Sequence, residues 1–134
     1  IKKAMELAAE RGAKRTIELP VSGAFHSPLM ADAVEEFGEK LEETEMRMVE
    51  IPVYANVTAS PVTTVEEIKS LLHNQLTHSV RWVETIKNMV KDGMTLGIET
   101  GPGKVLSGLV RRIDRSLAMR QAGTIEEIEK LFTE

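Results

Sequence analysis

Apolar and polar positions alternate along this chain in two rhythms, one of helical period and one of strand period. Ile1, Ala4, Met5 and Ala8 recur at helical spacing and Gly12 supplies a stop. No capping residue precedes Ile1, so the chain is expected to begin inside a helix. Ile17, Leu19 and Val21 alternate as a strand. Ser27 and Pro28 then read as N-cap and first helical residue of a helix whose apolar face is Met30, Ala33, Phe37 and Leu41. Ile51, Val53, Ala55 and Val57 predict a second strand, which Ala59, Ser60 and Pro61 lead out of.

Thr64 and Glu67 have capping-box spacing and open a helix with Val65, Ile68, Leu72 and Leu76 inward. A further helix runs from about Val80 to Lys91 on Val83, Ile86 and Val90, and Gly93 stops it. Met94, Leu96 and Ile98 predict a third strand. Gly101, Pro102 and Gly103 turn from it into a helix bearing Leu106, Leu109, Val110 and Ile113. A short strand around Leu117 and Met119 and a last helix capped by Thr124 and Glu127 complete the pattern. Strands alternating with helices predict an α/β architecture with a largely parallel sheet.

Composition narrows the class. With 42% apolar and 28% charged residues in 134, the chain has enough apolar area to escape intrinsic disorder. That length by itself suits a single domain. The absence of cysteine excludes disulfide frameworks, zinc–thiolate sites and cysteine nucleophiles, and leans towards a reducing compartment. No apolar run approaches the roughly 20 residues of a membrane helix, and the first residues lack a signal peptide's layout. The net charge of −4 argues against general nucleic-acid binding. The charge is uneven, however. Residues 31–50 hold eight acidic against two basic side chains, which reads as a solvated helix face. Residues 104–120 hold Lys104, Arg111, Arg112, Arg115 and Arg120 against Asp114, either another solvated face or a surface for an anionic partner.

Four places are candidates for chemistry. His26 follows a strand and precedes a helix N-cap, at the strand end where open α/β sheets place their sites. The positive end of that helix would favour a neutral, base-competent ring; an ordinary loop histidine is the competing reading. Gln75 places an amide on an otherwise apolar helical face, so it either caps the helix end or sits where that end presents a carbonyl to a site. Asn56 ends a strand, which turn formation alone explains. The Gly101–Gly103 turn with Lys104 behind it fits neither G-x-G-x-x-G nor G-x-x-x-x-G-K, leaving a tight turn that lets backbone approach something closely. His73 and His78 lie off one helical face and no H-E-x-x-H occurs, so a zinc site is unsupported. No G-x-S-x-G elbow occurs either. Read as a base, His26 would have no nucleophile in this sequence.

Four ordered segments carry a resemblance: LPVSGAFHSPLM at 19–30, IPVYANV at 51–57, Gln75-Leu76 followed by Val80-Arg81-Trp82, and ETGPGKVLSGL at 99–109. Together they resemble the C-terminal portion of the malonyl-CoA:acyl-carrier-protein transacylases. The resemblance implies an α/β-hydrolase-like acyltransferase fold. Residues 1–19 would be the last helix and strand of an inserted ferredoxin-like subdomain, and residues 20–134 the C-terminal portion of the large subdomain. It implies ping-pong transfer of malonyl from coenzyme A, through a serine acyl-enzyme, to the phosphopantetheine thiol of acyl carrier protein in fatty-acid synthesis. No bound cofactor or metal is implied.

In that family pattern His26 matches the general base and Gln75 supplies the main-chain carbonyl that orients it. Phe25 resembles the malonyl-selective form of the motif, while Asn56, Gly101 and Gly103 fall near the pocket. The serine, the arginine for malonate's free carboxylate and the oxyanion-hole glutamine lie upstream in the family. The chain alone is therefore expected to be inactive, with the missing N-terminal part of the same enzyme as a partner beside malonyl-CoA and acyl carrier protein. Arg111, Arg112 and Arg115 are candidates for steering the carrier protein or coenzyme A. A cytoplasmic location follows from the family, with neither nucleic acid nor membrane as partner. The alternatives are the acyltransferase piece of a polyketide-type synthase and a non-catalytic carrier-protein-binding module.

Overall fold

The structure, a computed structural model, describes residues 1–21 and 23–133. Ser22, inside the segment around His26, lies outside the described residues. The architecture is mixed α/β, with six α-helices and four strands among the described residues.

Helix α1 (Lys2–Glu10) starts at Ile1 without a side-chain cap and ends before Gly12, whose φ of 89° suits a residue lacking Cβ. It buries none of its residues. The strand expected at 17–21 does not form. Ile17, Leu19 and Val21 are 61–69% exposed, and no pairing edge lies beside them among the described residues. A β-pattern without a neighbour cannot satisfy its backbone as a ladder. Ser27 does cap, accepting from the Leu29 amide, and Pro28 takes the first helical position. The first turns are a 3₁₀ helix (Pro28–Ala33), and only then does α2 (Val34–Glu43) begin. Leu41 is buried, Met30 and Phe37 are half-buried, and Ala33 is exposed. The five glutamates of α2 face solvent.

Strand β1 (Val53–Ala55) is shorter than the apolar alternation suggested. Residues read as leading out of it instead form β2 (Ser60–Val62), antiparallel to β1 with Val53 opposite Val62. Four residues, 56–59, turn between the strands, and the turn closes on Ala59, which is fully buried with φ 57°. Helix α3 (Val65–Gln75) opens on the expected cap: Thr64 Oγ1 accepts from the Glu67 amide, and Glu67 reaches back to the Thr63 amide. It packs on α2 and on β1. Helix α4 (Trp82–Lys91) stops at Gly93, with φ 103°.

The best-packed part follows. β3 (Leu96–Thr100) and β4 (Ala118–Ala122) pair in parallel, Leu96 with Ala118 through Thr100 with Ala122, and α5 (Val105–Ile113) crosses between them. α6 (Ile125–Leu131) packs back on β4, its Thr124 cap accepting from Glu127 and Glu127 accepting from Gly123. The core is Ile86, Val110 and Leu117, surrounded by Trp82, Met89, Val90, Met94, Ile113 and Met119. Burying each of those first three side chains contributes roughly 1.5–3 kcal/mol.

The expected largely parallel sheet is therefore two separate pairs, one antiparallel and one parallel. On β3 the inward positions are Gly97 and Glu99, while the apolar Leu96 and Ile98 are 41% and 49% exposed. Leu106 and Leu109 of α5 are exposed as well. No helix is long and apolar enough to cross a membrane among the described residues.

Candidate active site

His26 stands just outside the Ser27 cap, where the chain turns sharply, with φ of 62°. That left-handed conformation costs a non-glycine residue about 1–2 kcal/mol and persists where neighbours hold it. Two contacts hold it. The His26 amide donates to Leu76 O at 3.0 Å, and its ring Nδ1 lies 2.9 Å from Gln75 O. Ser27 Oγ donates to Ala24 O at 2.7 Å, bracing the preceding residues.

Those two acceptors are what a helix end leaves over. The last carbonyls of α3 have no intrahelical donor, and His26 takes both with its backbone and its ring. A carbonyl oxygen only accepts, so Nδ1 must carry the proton in this contact. In the neutral ring the lone pair is then on Nε2, and a ring so tautomerised is a proton acceptor at that atom. The helix N-terminus on its own gave one field at this ring; α3 presents the opposite, negative end of a second helix to it.

Gln75 therefore contributes through its main chain, while its half-buried side chain lines a groove. That groove, about 470 Å³, is bounded by β1, α3 and the residues before β1. Val53, Val62, Ile68 and Leu72 make it apolar, and Asn56 joins Gln75 on its wall. The structure thus ties His26 to the Gln75 carbonyl, and the Gln75 side chain shares the groove wall with Asn56; His26 itself does not line the groove. Phe25, Gly101 and Gly103 do not line that groove. The Phe25 ring is 59% exposed and lies over Gly23, where an added Cβ would meet Phe25 Cε2 at 2.9 Å.

Gly101 and Gly103 have φ of 95° and 98°, so the turn between β3 and α5 is one that side chains with Cβ rarely adopt. Its conformation is anchored by a group that the hydrophobic pattern alone does not single out. Glu99, 7% exposed, accepts from the Leu106 amide at 2.9 Å and from the Ser107 amide at 2.8 Å. Ser107 Oγ donates to the same carboxylate at 2.5 Å, and Gln121 Nε2 donates to Ser107 Oγ at 2.6 Å. These donors, the Ser107 hydroxyl foremost, outweigh burial and hold the Glu99 carboxyl down to about 2. The available signal was an acidic residue at an inward position of a strand, where only a paired charge is tolerated.

Arg111 and Arg112 extend from the last turn of α5, and Arg115 follows it; all three are exposed. Asp114, the acid among them, is occupied by the Ser116 amide and hydroxyl at 2.8 and 2.6 Å, which hold its pKa down. The guanidinium groups make no ion pair among the described residues. No cluster of three or more histidine or carboxylate side chains suited to a metal occurs among the described residues.

No protein-family model matches the chain. It is 45% identical over 126 residues to the malonyl CoA-acyl carrier protein transacylase of Bacillus subtilis (strain 168), covering 94% of this chain and 40% of that protein. Its structure is similar to that of an acyl-carrier-protein-S-malonyltransferase from Bartonella henselae, with a TM-score of 0.91 and 41% identity over 98% of this chain and 42% of the other. A second similar structure is a type II PKS acyl-carrier protein in complex with its malonyl-transacylase, with a TM-score of 0.90 and 33% identity. There the alignment covers 99% of this chain and 43% of the other. The chain thus spans about two fifths of the length of the relatives it matches. The resemblance read from four motifs is met over nearly the whole chain.

Proposed function

We propose that this chain is the histidine-bearing portion of a malonyl-CoA:acyl-carrier-protein transacylase. The observation that carries the reading is the ring of His26 held through Nδ1 on the Gln75 carbonyl, leaving Nε2 as the base. Across residues 20–134 the fold would be the C-terminal part of an α/β-hydrolase-like subdomain. Residues 1–19 would be the tail of a ferredoxin-like insert, in keeping with a helix α1 that buries nothing.

Surface area supports a portion rather than a closed unit. The accessible surface is 10581 Å². A compact monomer of 14.9 kDa exposes roughly 7,000 Å². Exposed apolar side chains on β3 and α5 account for part of the excess.

The reaction divides into two displacements. A serine outside this chain attacks the malonyl thioester carbon as His26 Nε2 takes the hydroxyl proton. The carbon–sulfur bond breaks and the coenzyme A thiolate leaves with that proton. The carrier protein's pantetheine thiol then gives its proton to His26 and attacks the oxyester, and the serine oxygen leaves and is reprotonated. A carbonyl fixes the tautomer as an aspartate does in a Ser-His-Asp site, without adding a full negative charge beside the imidazolium. Phe25 narrows the space for an α-methyl branch, a preference worth about 1–3 kcal/mol. Asn56 supports the groove beside Gln75, and the Gly101–Gly103 turn takes its place near the substrate from the family resemblance alone. Arg111, Arg112 and Arg115 steer the anionic carrier protein or coenzyme A. No bound cofactor takes part, and the location is cytoplasmic.

Intact mass of the complete protein bearing this chain, taken after mixing with malonyl-CoA, tests the proposal. A malonyl adduct that discharges onto acyl carrier protein is expected. Absence of both adduct and transfer, with carrier-protein binding retained, would instead leave a binding module. The 134-residue chain alone is expected to take no adduct. Charge reversal at Arg111 and Arg112 together is expected to lower kcat/KM for the carrier protein about tenfold at low salt and to flatten its salt dependence.

A further inference from the structure

Among the described residues two that are not glycine have positive φ, His26 at 62° and Ala59 at 57°. Strain of that kind persists where surrounding bonds over-determine the backbone. Around Ala59 the bonds are identifiable. Its amide donates to Ala55 O at 2.8 Å and its carbonyl accepts from Asn88 Nδ2 at 2.8 Å. The rest of the turn is held by Arg81. The Arg81 amide donates to Asn56 O at 2.9 Å, and its Nη1 reaches Thr58 O at 3.3 Å and Val57 O at 3.5 Å. Its Nη2 pairs with Glu84 on the first turn of α4, which aims the fork back at the turn.

Arg81 is also the anchor of the segment that holds His26. Gln75 and Leu76, whose carbonyls take the ring and amide of His26, end α3, and only residues 77–80 separate them from Arg81. Thr77 and His78 fold back on Asn74 O, keeping that connection short and closed. The helix end facing His26 is fixed on one side by α3 itself and on the other by Arg81 clasped to three successive carbonyls of the 56–59 turn.

We propose that Arg81 is a positioning residue for His26. Through the connection between α3 and α4 it sets where the Gln75 carbonyl stands, and so which ring nitrogen of His26 holds the proton. The inference rests on the proposed role of His26 as base, and its direct readout does not depend on transfer. The guanidinium works through two separate nitrogens, Nη1 on the Val57 and Thr58 carbonyls and Nη2 on Glu84, a division that the single nitrogen of a lysine cannot reproduce.

The test uses the complete protein carrying this chain, labelled with 15N-histidine, as wild type, Arg81→Met and Arg81→Lys. At a pH where the ring is neutral, wild-type His26 is expected to give the Nδ1-protonated pattern. Arg81→Met is expected to give a mixture of tautomers, with kcat lowered roughly ten- to a hundredfold, as for a misplaced catalytic group, and KM for malonyl-CoA little changed. Arg81→Lys should lie between. A loss of folded protein lowers signal and apparent kcat together but leaves the tautomer ratio of the folded fraction alone. A folded Arg81→Met with wild-type tautomer and kcat overturns the proposal. If that variant does not fold, an Arg81→Lys identical to wild type in both measures overturns it. If the protein transfers no malonyl, the proposed function fails while the tautomer shift still decides the role of Arg81.

Discussion

The segment from Met94 to Thr133 and the segment from Ala13 to Ser27 differ in how they are held. In the first, a parallel strand pair, its crossover helix and a packed last helix enclose a carboxylate whose four hydrogen-bond donors come from α5 and β4. In the second, the described residues 13–21 and 23–27 belong to no helix or strand, are mostly exposed, and are secured near their end by two carbonyls of a helix far along the chain. The proposed catalytic group is in the second. Packing here is concentrated where the scaffold is, and the reactive side chain hangs from the scaffold by a few directional bonds. Loops positioned by a rigid frame usually carry chemistry in this way.

Substitutions can separate the two regions. The largest effect is expected at His26. In the complete protein, His26→Ala should lower transfer by at least a factor of about 10³, with melting temperature nearly unchanged, because the side chain is exposed. Assay and calorimetry on one preparation check this; a large melting shift would make the histidine part of the scaffold.

Next is Ile86, in the core and 2% exposed. Ile86→Ala is expected to cost about 2–5 kcal/mol in denaturant unfolding of the complete protein while the folded fraction keeps its activity.

Glu99 sharpens the contrast through pH. Its carboxyl is lowered from 4.5 to about 2 in the folded state. Its stabilising contribution is therefore complete above 4.5 and disappears as pH falls through about 2. Glu99→Gln should remove that part of the acid dependence and lower stability at neutral pH. Wild-type and variant melting curves that fall in parallel between those two values would show the carboxylate is not the group responsible.

The smallest effects are at the caps. Thr124→Ala in the packed region and Thr64→Ala on the helix that ends at Gln75 should each cost about 1 kcal/mol. Only Thr64→Ala is expected to change His26, by loosening α3. Equal kcat in the two variants would show that helix stability is not transmitted to the ring.

Local chemistry was legible residue by residue. Thr64 with Glu67, Thr124 with Glu127, and Ser27 with Pro28 marked three helix starts, since a cap is a contact within four residues. Gly12 and Gly93 marked two helix ends. The residues around His26 were legible as a family motif, and Gln75 as its partner came from that resemblance. Strand patterns fared worse. The alternation at Ile17, Leu19 and Val21 is as clean as that at Leu96 and Ile98, but only the second found an edge to pair with. Ala59, Ser60 and Pro61 read as leading out of the second strand, but Ser60–Val62 form the other strand of a short hairpin, where an edge tolerates proline.

The sequence by itself determined the capped helix starts at Thr64 and Thr124, the glycine stops at Gly12 and Gly93, and the apolar side of each helical pattern. Those follow from sterics and hydrogen bonds between residues a few positions apart. Tertiary structure decided which strands pair, that the buried face of β3 carries Gly97 and Glu99, and that the ring of His26 meets a carbonyl 49 residues away. Such contacts depend on the path of the chain between them, and only packing selects that path.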